Sequence, residues 1–509
     1  MKVLVTTSGL GSRLGKLTDF TNKSLVRIGD KPAISTIIEH YPKDTEFTIT
    51  TGHKGEHVEQ FLSIAYPNKK IKFVKVDPYE GKGSSLGYSI LQAKEQLQEP
   101  FIFNCCDTIL TPKDPIPNPS YNWCAVSRKE NSSQFRTLQT NQGFVTHINE
   151  KGETGYDFVY IGLCGIKDYE LFWLNLEAIK KNKNLSDVHV INKMIKEVPF
   201  RAHETKLWLD AGSTEELEKA RKALPSTAEI LDKENEATYI LEDSVVKFFG
   251  KESVNLNRVK RASYLKGIVP NVIQHSKNFY KYEKAEGTLV SKASNETEFE
   301  DLLRWASEKL WIRAQTKNFE EKCRNFYIDK SLRRIRDYLH ENEDEENLIN
   351  GESIPPASHL INSISDELIS SGVPSRIHED FILDNILKTK NGFTLLDWRQ
   401  DFAGDLECGD LYYDLAKLNH NLTVNHDIVK RGLYQPDPSN CHILCNSTLM
   451  RFKEILHDFI SKEGFCLKKV KTLSSVIWIN MSPLHEYPFS KFLFNFGKYN
   501  LYKELKKHE

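Results

Sequence analysis

The chain has 509 residues and an almost balanced charge, 69 Lys+Arg against 70 Asp+Glu, for a formal net of −1. That length exceeds what one hydrophobic core holds and implies at least two domains, while the balance excludes a partner recruited by bulk charge, so no nucleic acid and no membrane surface are expected and a small-molecule substrate is. Nine cysteines without framework spacing, including the adjacent Cys105 and Cys106, are expected as reduced thiols. No apolar run approaches the roughly 20 residues of a membrane span. The opening MKVLVTTSGL breaks after three apolar residues and does not read as a signal peptide, so a cytoplasmic protein is expected.

Along residues 1–225 short apolar runs alternate with amphipathic stretches. KVLVTT, EFTITTG, IKFVKV, PFIFNCCD, WCAVSR and FVYIGLCGI read as strands, and AISTIIEHY, HVEQFLSIA and SSLGYSILQAKEQL as helices. This alternation predicts an α/β domain with a largely parallel sheet, whose ligand crevice lies at the carboxyl ends of the strands. The stretch VTTSGLGSRLGKLTDFTNKSL, residues 5–25, follows the first strand at such an end. Gly9 and Gly11 let backbone amides approach a phosphate, Arg13 adds a planar fork and Lys23 a point charge. The spacing is neither the P-loop nor the dinucleotide fingerprint, and a plain tight turn would use the same glycines. Asp107 after FIFNCCD and Asp210 in LWLDAGSTEEL also stand at strand ends. Two carboxylates above a phosphate loop suit Mg²⁺, although each alone would as readily cap a helix.

Residues 226–237 are polar and aperiodic and predict a linker, which leaves 238–509 as a second domain. ATYILEDSVVKFFG and HSKNFYKYEKAEG read as hairpins around a basic helix, NRVKRASYLKG; mostly helical sequence follows, an α+β arrangement. The acidic run at 340–356 reads as a solvated loop, and Cys441 with Cys445 has no second pair to complete a metal site. RIHEDFILDNILKTKNGFTLLDWRQDF carries His378, Asp380, Asn385 and Asp397. Phosphoryl transfer from ATP needs an aspartate to accept the acceptor's proton, an asparagine and an aspartate on Mg²⁺, and a lysine on the phosphates, for which Lys247 in SVVKFF is the candidate.

The segment Gly9 to Lys23, with Asp107 and the WLDAGSTEEL run, resembles the nucleotidyltransferase family that joins an NTP to a sugar phosphate or to phosphocholine, over about the first 220 residues. The resemblance implies a Rossmann-like, GT-A-like domain. In it Gly9, Gly11 and Arg13 grip the triphosphate, Lys23 serves the reacting phosphates, Gly83 and Ser84 hold the base, and Asp107 and Asp210 hold the metal. Asn22 stands where the family usually has proline, and TNKSL is closer to the phosphocholine-type cytidylyltransferases, which makes CTP the expected NTP.

Residues 238–509 resemble the aminoglycoside phosphotransferase and choline kinase family, of protein-kinase-like α+β fold. That likeness implies Asp380 as base, Asn385 and Asp397 as metal ligands, His378 as a structural residue and KYEKAEG, 281–287, as a hinge against adenine. Glu379 stands where the family often has glycine, and the helix after Lys247 offers no glutamate to pair with it. In the substrate-side segment Trp398, Asp401, Asp410 and Tyr412 would shape a pocket for a cationic or hydroxylated acceptor, or YYDLAKL would simply be a capped core helix. Together the two likenesses imply a bifunctional enzyme. A kinase phosphorylates a sugar, polyol or choline-type alcohol with ATP, and the first half couples that phosphate to a second NTP, giving an activated precursor for cell-surface polysaccharide, with Mg²⁺ at both sites. A kinase of unrelated substrate, or a half that only binds nucleotide, stays open, as do the acceptor and the oligomeric state.

Overall fold

Residues Val3, Leu4 and Val5 are wholly buried because the strand Lys2–Thr6 lies between two parallel neighbours, Glu46–Thr51 and Phe101–Cys105, in a sheet covered on both faces. The computed structural model describes residues 1–111, 114–129, 132–153, 155–227, 234–342 and 345–506. Its internal contacts divide the chain into two compact units, Met1–Asn255 with Ile273–Tyr282, and Leu256–Val272 with Glu283–Glu509.

The first unit is built on a nine-stranded sheet. Its order is Lys70–Lys75, Glu46–Thr51, Lys2–Thr6, Phe101–Cys105, Phe158–Ile166, Trp123–Ser127, Arg201–Glu204, Phe144–Ile148 and Arg136–Asn141. All six strands expected from the sequence form, as do the helices Ala33–His40, Gly55–Ala65 and Leu86–Gln92. The sheet is mixed rather than largely parallel. Helical crossovers keep the first four strands in that order parallel, and beyond them Phe158–Ile166 runs antiparallel to both neighbours. The hairpin Arg136–Asn141 to Phe144–Ile148 was not foreseen. It turns on Gln142 and Gly143, at φ 50° and 81°, the left-handed pair that matches a tight hairpin to strand twist.

Both hairpins expected after the linker also form. They make one four-stranded sheet in the order Glu236–Ile240, Ser244–Phe249, Phe279–Glu283, Val272–His275. The compact units nevertheless do not divide where the sequence reading puts the boundary, and residues 228–233 of the expected linker lie outside the described residues. Tyr239, Val246, Phe248 and Phe279 belong to the core of the first unit. The Tyr239 ring meets Phe61 edge-on at 5.1 Å, and its hydroxyl donates to Leu25 O at 2.8 Å. A chain ended near residue 230 would leave Phe61, fully buried here, facing water. Such a fragment is expected to be aggregation-prone and to lack a cooperative thermal transition, because a large aromatic contributes about 3–5 kcal/mol when its site is intact. Sedimentation and a melting curve of that fragment check this.

In the second unit, helices Leu411–Asn421, Leu467–Met481 and Phe489–Lys506 pack into an apolar core with Phe492, Leu493, Ile479 and Leu415 wholly buried. The acidic run is not simply a solvated loop. Lys498, buried on the last helix, pairs with Glu345 at 2.8 Å, Lys491 pairs with Glu346 at 3.0 Å, and Leu348–Ile349 ladders with Glu352–Ser353. A buried ammonium needs a partner, and this run supplies one. All nine cysteines are free. No described helix is long and apolar enough to cross a membrane.

Candidate active sites

In the first unit the strand Lys2–Thr6 ends at the turn Thr7-Ser8-Gly9, and Ser8 and Gly9 line a cavity of about 410 Å³ with Arg13, Lys23, Asp107 and Asp210. Gly11 is not on its wall. Its φ of 72° is left-handed, and a Cβ there would stand 2.8 Å from Lys23 Cβ, so this glycine makes room for the lysine rather than for a ligand. Asn22 positions the same lysine. Fully buried, it donates from Nδ2 to Thr7 O at 2.8 Å and to His53 O at 2.7 Å, while Oδ1 accepts from Ser24 N at 2.9 Å. A proline could hold the same backbone angle but could not tie three segments together.

Lys23 Nζ reaches Asp107 Oδ2 at 2.9 Å. Burial works against both charges, but the pair prevails, so Asp107 titrates below the usual carboxylate range and Lys23 is raised and stays charged. Asp210 Oδ1 accepts from Gly212 N at 2.9 Å. Burial, and then the neighbouring charge of Asp107, push its carboxyl up to about 6. A Cβ on Gly212 would lie 2.9 Å from Asp107 Oδ2, 3.0 Å from Asp210 Oδ1 and 3.0 Å from Arg13 Nη2, so the three groups converge on one point. Two carboxylates, Asp107 ionised beside Lys23 and Asp210 raised by burial and by that neighbouring charge, open to a cavity and fit a Mg²⁺ that takes its remaining ligands from phosphate and water. Ser84 lines the cavity. Gly83, at φ 97°, shapes the same loop without forming its wall.

Sequence reasoning missed Arg136 and Lys151, which add two cations to the cavity. Burial, and then Arg13 and Arg136, lower the Lys151 pKa. Asp187 at the same wall accepts from Tyr160 OH at 2.7 Å and is raised by burial. Lone charged residues in NEKGETG and at the start of an unforeseen strand carry no pattern that would have announced them.

In the second unit the hairpin Ile386–Thr389 to Gly392–Leu395 pairs Ile386 with Leu395. It therefore brings Asn385 and Asp397 to one end, where Leu396 N donates to Asn385 O at 2.7 Å. Asn385 Nδ2 donates to Asp380 O at 3.0 Å, which fixes the loop. Asp397 has a left-handed backbone, φ 58°, as does Glu379 at 73°. Such strain in non-glycine residues collects at functional sites. Glu379 is held there by Arg261 at 2.8 Å, both almost wholly buried, and Arg261 also donates to Ile377 O at 2.9 Å. The basic helix thus supplies an arginine to this loop. Asp380 is clasped by two cations, Arg399 Nη2 at 2.7 Å from Oδ2 and Lys417 Nζ at 2.8 Å from Oδ1. His378 is wholly buried and neutral, its pKa lowered by burial to about 4.

Asp414, also missed, anchors the loop. It accepts from His378 N at 2.8 Å, Glu379 N at 2.7 Å and Trp311 Nε1 at 3.1 Å, and burial raises it to about 6. Asp414→Asn would turn an amide donor toward one of these donors. It is expected to cost about 1–3 kcal/mol, the penalty of an unsatisfied buried group, and to slow whatever chemistry Asp380 performs, as a melting curve and turnover would show.

Three residues expected at the acceptor pocket, Trp398, Asp410 and Tyr412, are internal instead, the last with its hydroxyl accepting from Cys466 N at 2.9 Å. Trp398 is fully buried and donates to Arg258 O at 2.8 Å. Asp410 is fully buried between Lys469 at 3.1 Å and Tyr327 OH at 3.0 Å, and it caps the helix Leu411–Asn421 through Tyr412 N. YYDLAKL is that capped core helix. Lys247 lies buried on Ser244–Phe249, which groups with the first unit rather than with Asp380, Asn385 and Asp397, and the expected hinge 281–287 spans the division.

No family model matches the chain. Over 233 residues, 45% of its length, it is 25% identical to the bifunctional IPC transferase and DIPP synthase of Archaeoglobus fulgidus, and it spans 44% of that relative. Among solved structures it is similar to a UDP-glucose pyrophosphorylase, at 19% identity over 44% of this chain and 97% of that one with a TM-score of 0.39. It is also similar to the CTP:phosphocholine cytidylyltransferase of Streptococcus pneumoniae, at 19% identity, 44% and 98% coverage and a TM-score of 0.38. For the inositol-1-phosphate CTP transferase of T. maritima the values are 16%, 44%, 97% and 0.36.

Proposed function

We propose that the first unit is a nucleotidyltransferase and the second an ATP-dependent kinase of a small hydroxylated compound, whose phosphorylated product the first unit couples to an NTP. The convergence of Arg13, Lys23, Asp107 and Asp210 at the carboxyl ends of the strands carries the first part. In that cavity an oxygen of the acceptor phosphate attacks the α-phosphorus of the NTP, and pyrophosphate leaves with the electrons of the broken P–O bond. Such an in-line displacement needs positioning and charge neutralisation rather than a strong base. Arg13, Lys23 and Lys151 hold the phosphates, and Ser84 and its loop face the base. Mg²⁺ on Asp107 and Asp210 would neutralise the developing charge on phosphate oxygens. CTP is the proposed NTP, on the strength of TNKSL around Lys23.

For the second unit, Asp380 would accept the proton of the acceptor hydroxyl as its oxygen bonds to the γ-phosphorus and ADP departs, with Asn385 and Asp397 as the residues for Mg²⁺. The hairpin that brings Asn385 and Asp397 together beside the Asp380 loop supports this reading. The two-activity name of the A. fulgidus relative supports a transferase joined to a second enzyme. The test supplies the whole chain with ATP, each of CTP, UTP and dTTP, and a panel of sugars, polyols and choline, following ADP and pyrophosphate separately. Pyrophosphate released only after ADP has formed is the expected result; neither product from any combination would refute it.

Mg²⁺ affinity at the first site is expected to weaken as pH falls through about 6. Asp210 is protonated below that value and must release its proton to the metal, whereas at pH 8 both carboxylates are already charged. Metal titrations of nucleotidyl transfer at pH 5.5 and 8 check the sign.

A further inference from the structure

Three separate elements deliver cations to the Asp380 loop. Arg399 follows the strand Gly392–Leu395, Lys417 sits on the helix Leu411–Asn421, and Lys330 opens the helix Lys330–Glu341 directly after the π-helical turn Asn325–Asp329. Arg399 and Lys417 each bind one oxygen of the Asp380 carboxylate. Lys330 lies over the Phe326 ring at 3.8 Å, and Phe326 packs on Phe402 and Tyr413. Glu379, the other acid of the loop, is already matched by Arg261. π-Helical turns are frequent at functional sites.

We propose that the acceptor phosphorylated by the second unit carries a negative charge and that Arg399 and Lys417 bind it. The proposal rests on the kinase reading of that unit. Each oxygen of the Asp380 carboxylate is taken up by a cation, and an anionic group on the substrate would draw Arg399 and Lys417 toward itself as it docks. That movement releases Asp380 toward the substrate's hydroxyl at the moment it is needed. A cationic acceptor would meet repulsion at the same place, and two of the groups expected to attract it, Asp410 and Trp398, are sealed in the core. Burial lowers the Lys330 pKa to about 8; the charge of Glu379 opposes that shift, and Arg399, Arg334 and Lys417 add to it. The bond made is from acceptor oxygen to γ-phosphorus, the bond broken is the β–γ bridge, and the hydroxyl proton goes to Asp380.

The test uses the full chain with ATP and acceptor pairs that differ by one charged group: glucose and glucuronate, glycerol and glycerate, ribitol and ribitol 5-phosphate, with choline as the cationic case. At least one anionic member is expected to show kcat/KM about tenfold or more above its neutral partner, a preference of about 1.4 kcal/mol. Lys417→Met and Arg399→Leu should collapse that ratio toward one, chiefly through the acceptor KM, and Lys417→Arg should restore it. Neutral acceptors or choline used as well as any anion would overturn the proposal while leaving the kinase reading in place. So would variants that slow all acceptors equally through the KM for ATP, since the cations would then serve the nucleotide. Absence of ADP with every acceptor would remove the kinase reading itself and this inference with it.

Discussion

Asp107→Ala is expected to reduce nucleotidyl transfer by about 10² to 10³ or more, the range lost when one preorganised charge at a reacting phosphate is removed. The substitution acts twice. It takes away one of the two carboxylates that converge beside Gly212, and it leaves Lys23, a partly buried ammonium, without its 2.9 Å partner. Asp107→Asn separates the two effects: the amide still accepts a hydrogen bond from Lys23 but holds a divalent cation poorly. Both variants should lose pyrophosphate release, whereas only the alanine form should also melt earlier. ATP-dependent phosphorylation should persist in both, because Asp380, Asn385 and Asp397 belong to the other compact unit. Unchanged pyrophosphate release in either variant would refute the assignment.

Asp380→Asn should do the reverse. Loss of a positioned base lowers turnover by about 10² or more, and the change also removes the charge that Arg399 and Lys417 face at 2.7 and 2.8 Å. Asparagine keeps the size and much of the hydrogen bonding of the side chain, so ATP should still bind while ADP formation falls. Nucleotidyl transfer to an acceptor supplied already phosphorylated should be unaffected. ADP formation by coupled assay and nucleotide binding by calorimetry distinguish these outcomes, and unchanged turnover would mean that Asp380 only holds its loop.

Part of this was written in the chain order. The apolar runs that become the six expected strands are dense in β-branched and aromatic residues, and buried strands need little else. Gly9, Arg13 and Lys23 were legible in the segment that leaves the strand Lys2–Thr6, Asp107 just past Phe101–Cys105 and Asp210 as the last residue of Trp208–Asp210, where local sequence and crevice coincide. Asn385 and Asp397 were legible because a short hairpin must bring its two ends together.

Tertiary structure decided the rest, for a common reason: burial and charge pairing across distant segments leave no local pattern. Nothing near Tyr239 or Phe248 says that they complete the core around Phe61, so the polar stretch before them looked like a boundary between independent cores. Asp410 and Trp398 looked like ligands for a substrate until Lys469 and Arg258 were seen to satisfy them. Gly11 looked like a phosphate glycine, yet its missing side chain makes room for Lys23. Arg399 and Lys417 lie 18 residues apart on different elements, and only the fold brings both to Asp380. The sequence alone therefore determined which chemical groups stand at strand and hairpin ends, since short-range geometry puts them there. Which of them face a ligand, and which are spent on holding the core, depended on partners far away in the chain, since a buried charge takes its role from whatever packs against it.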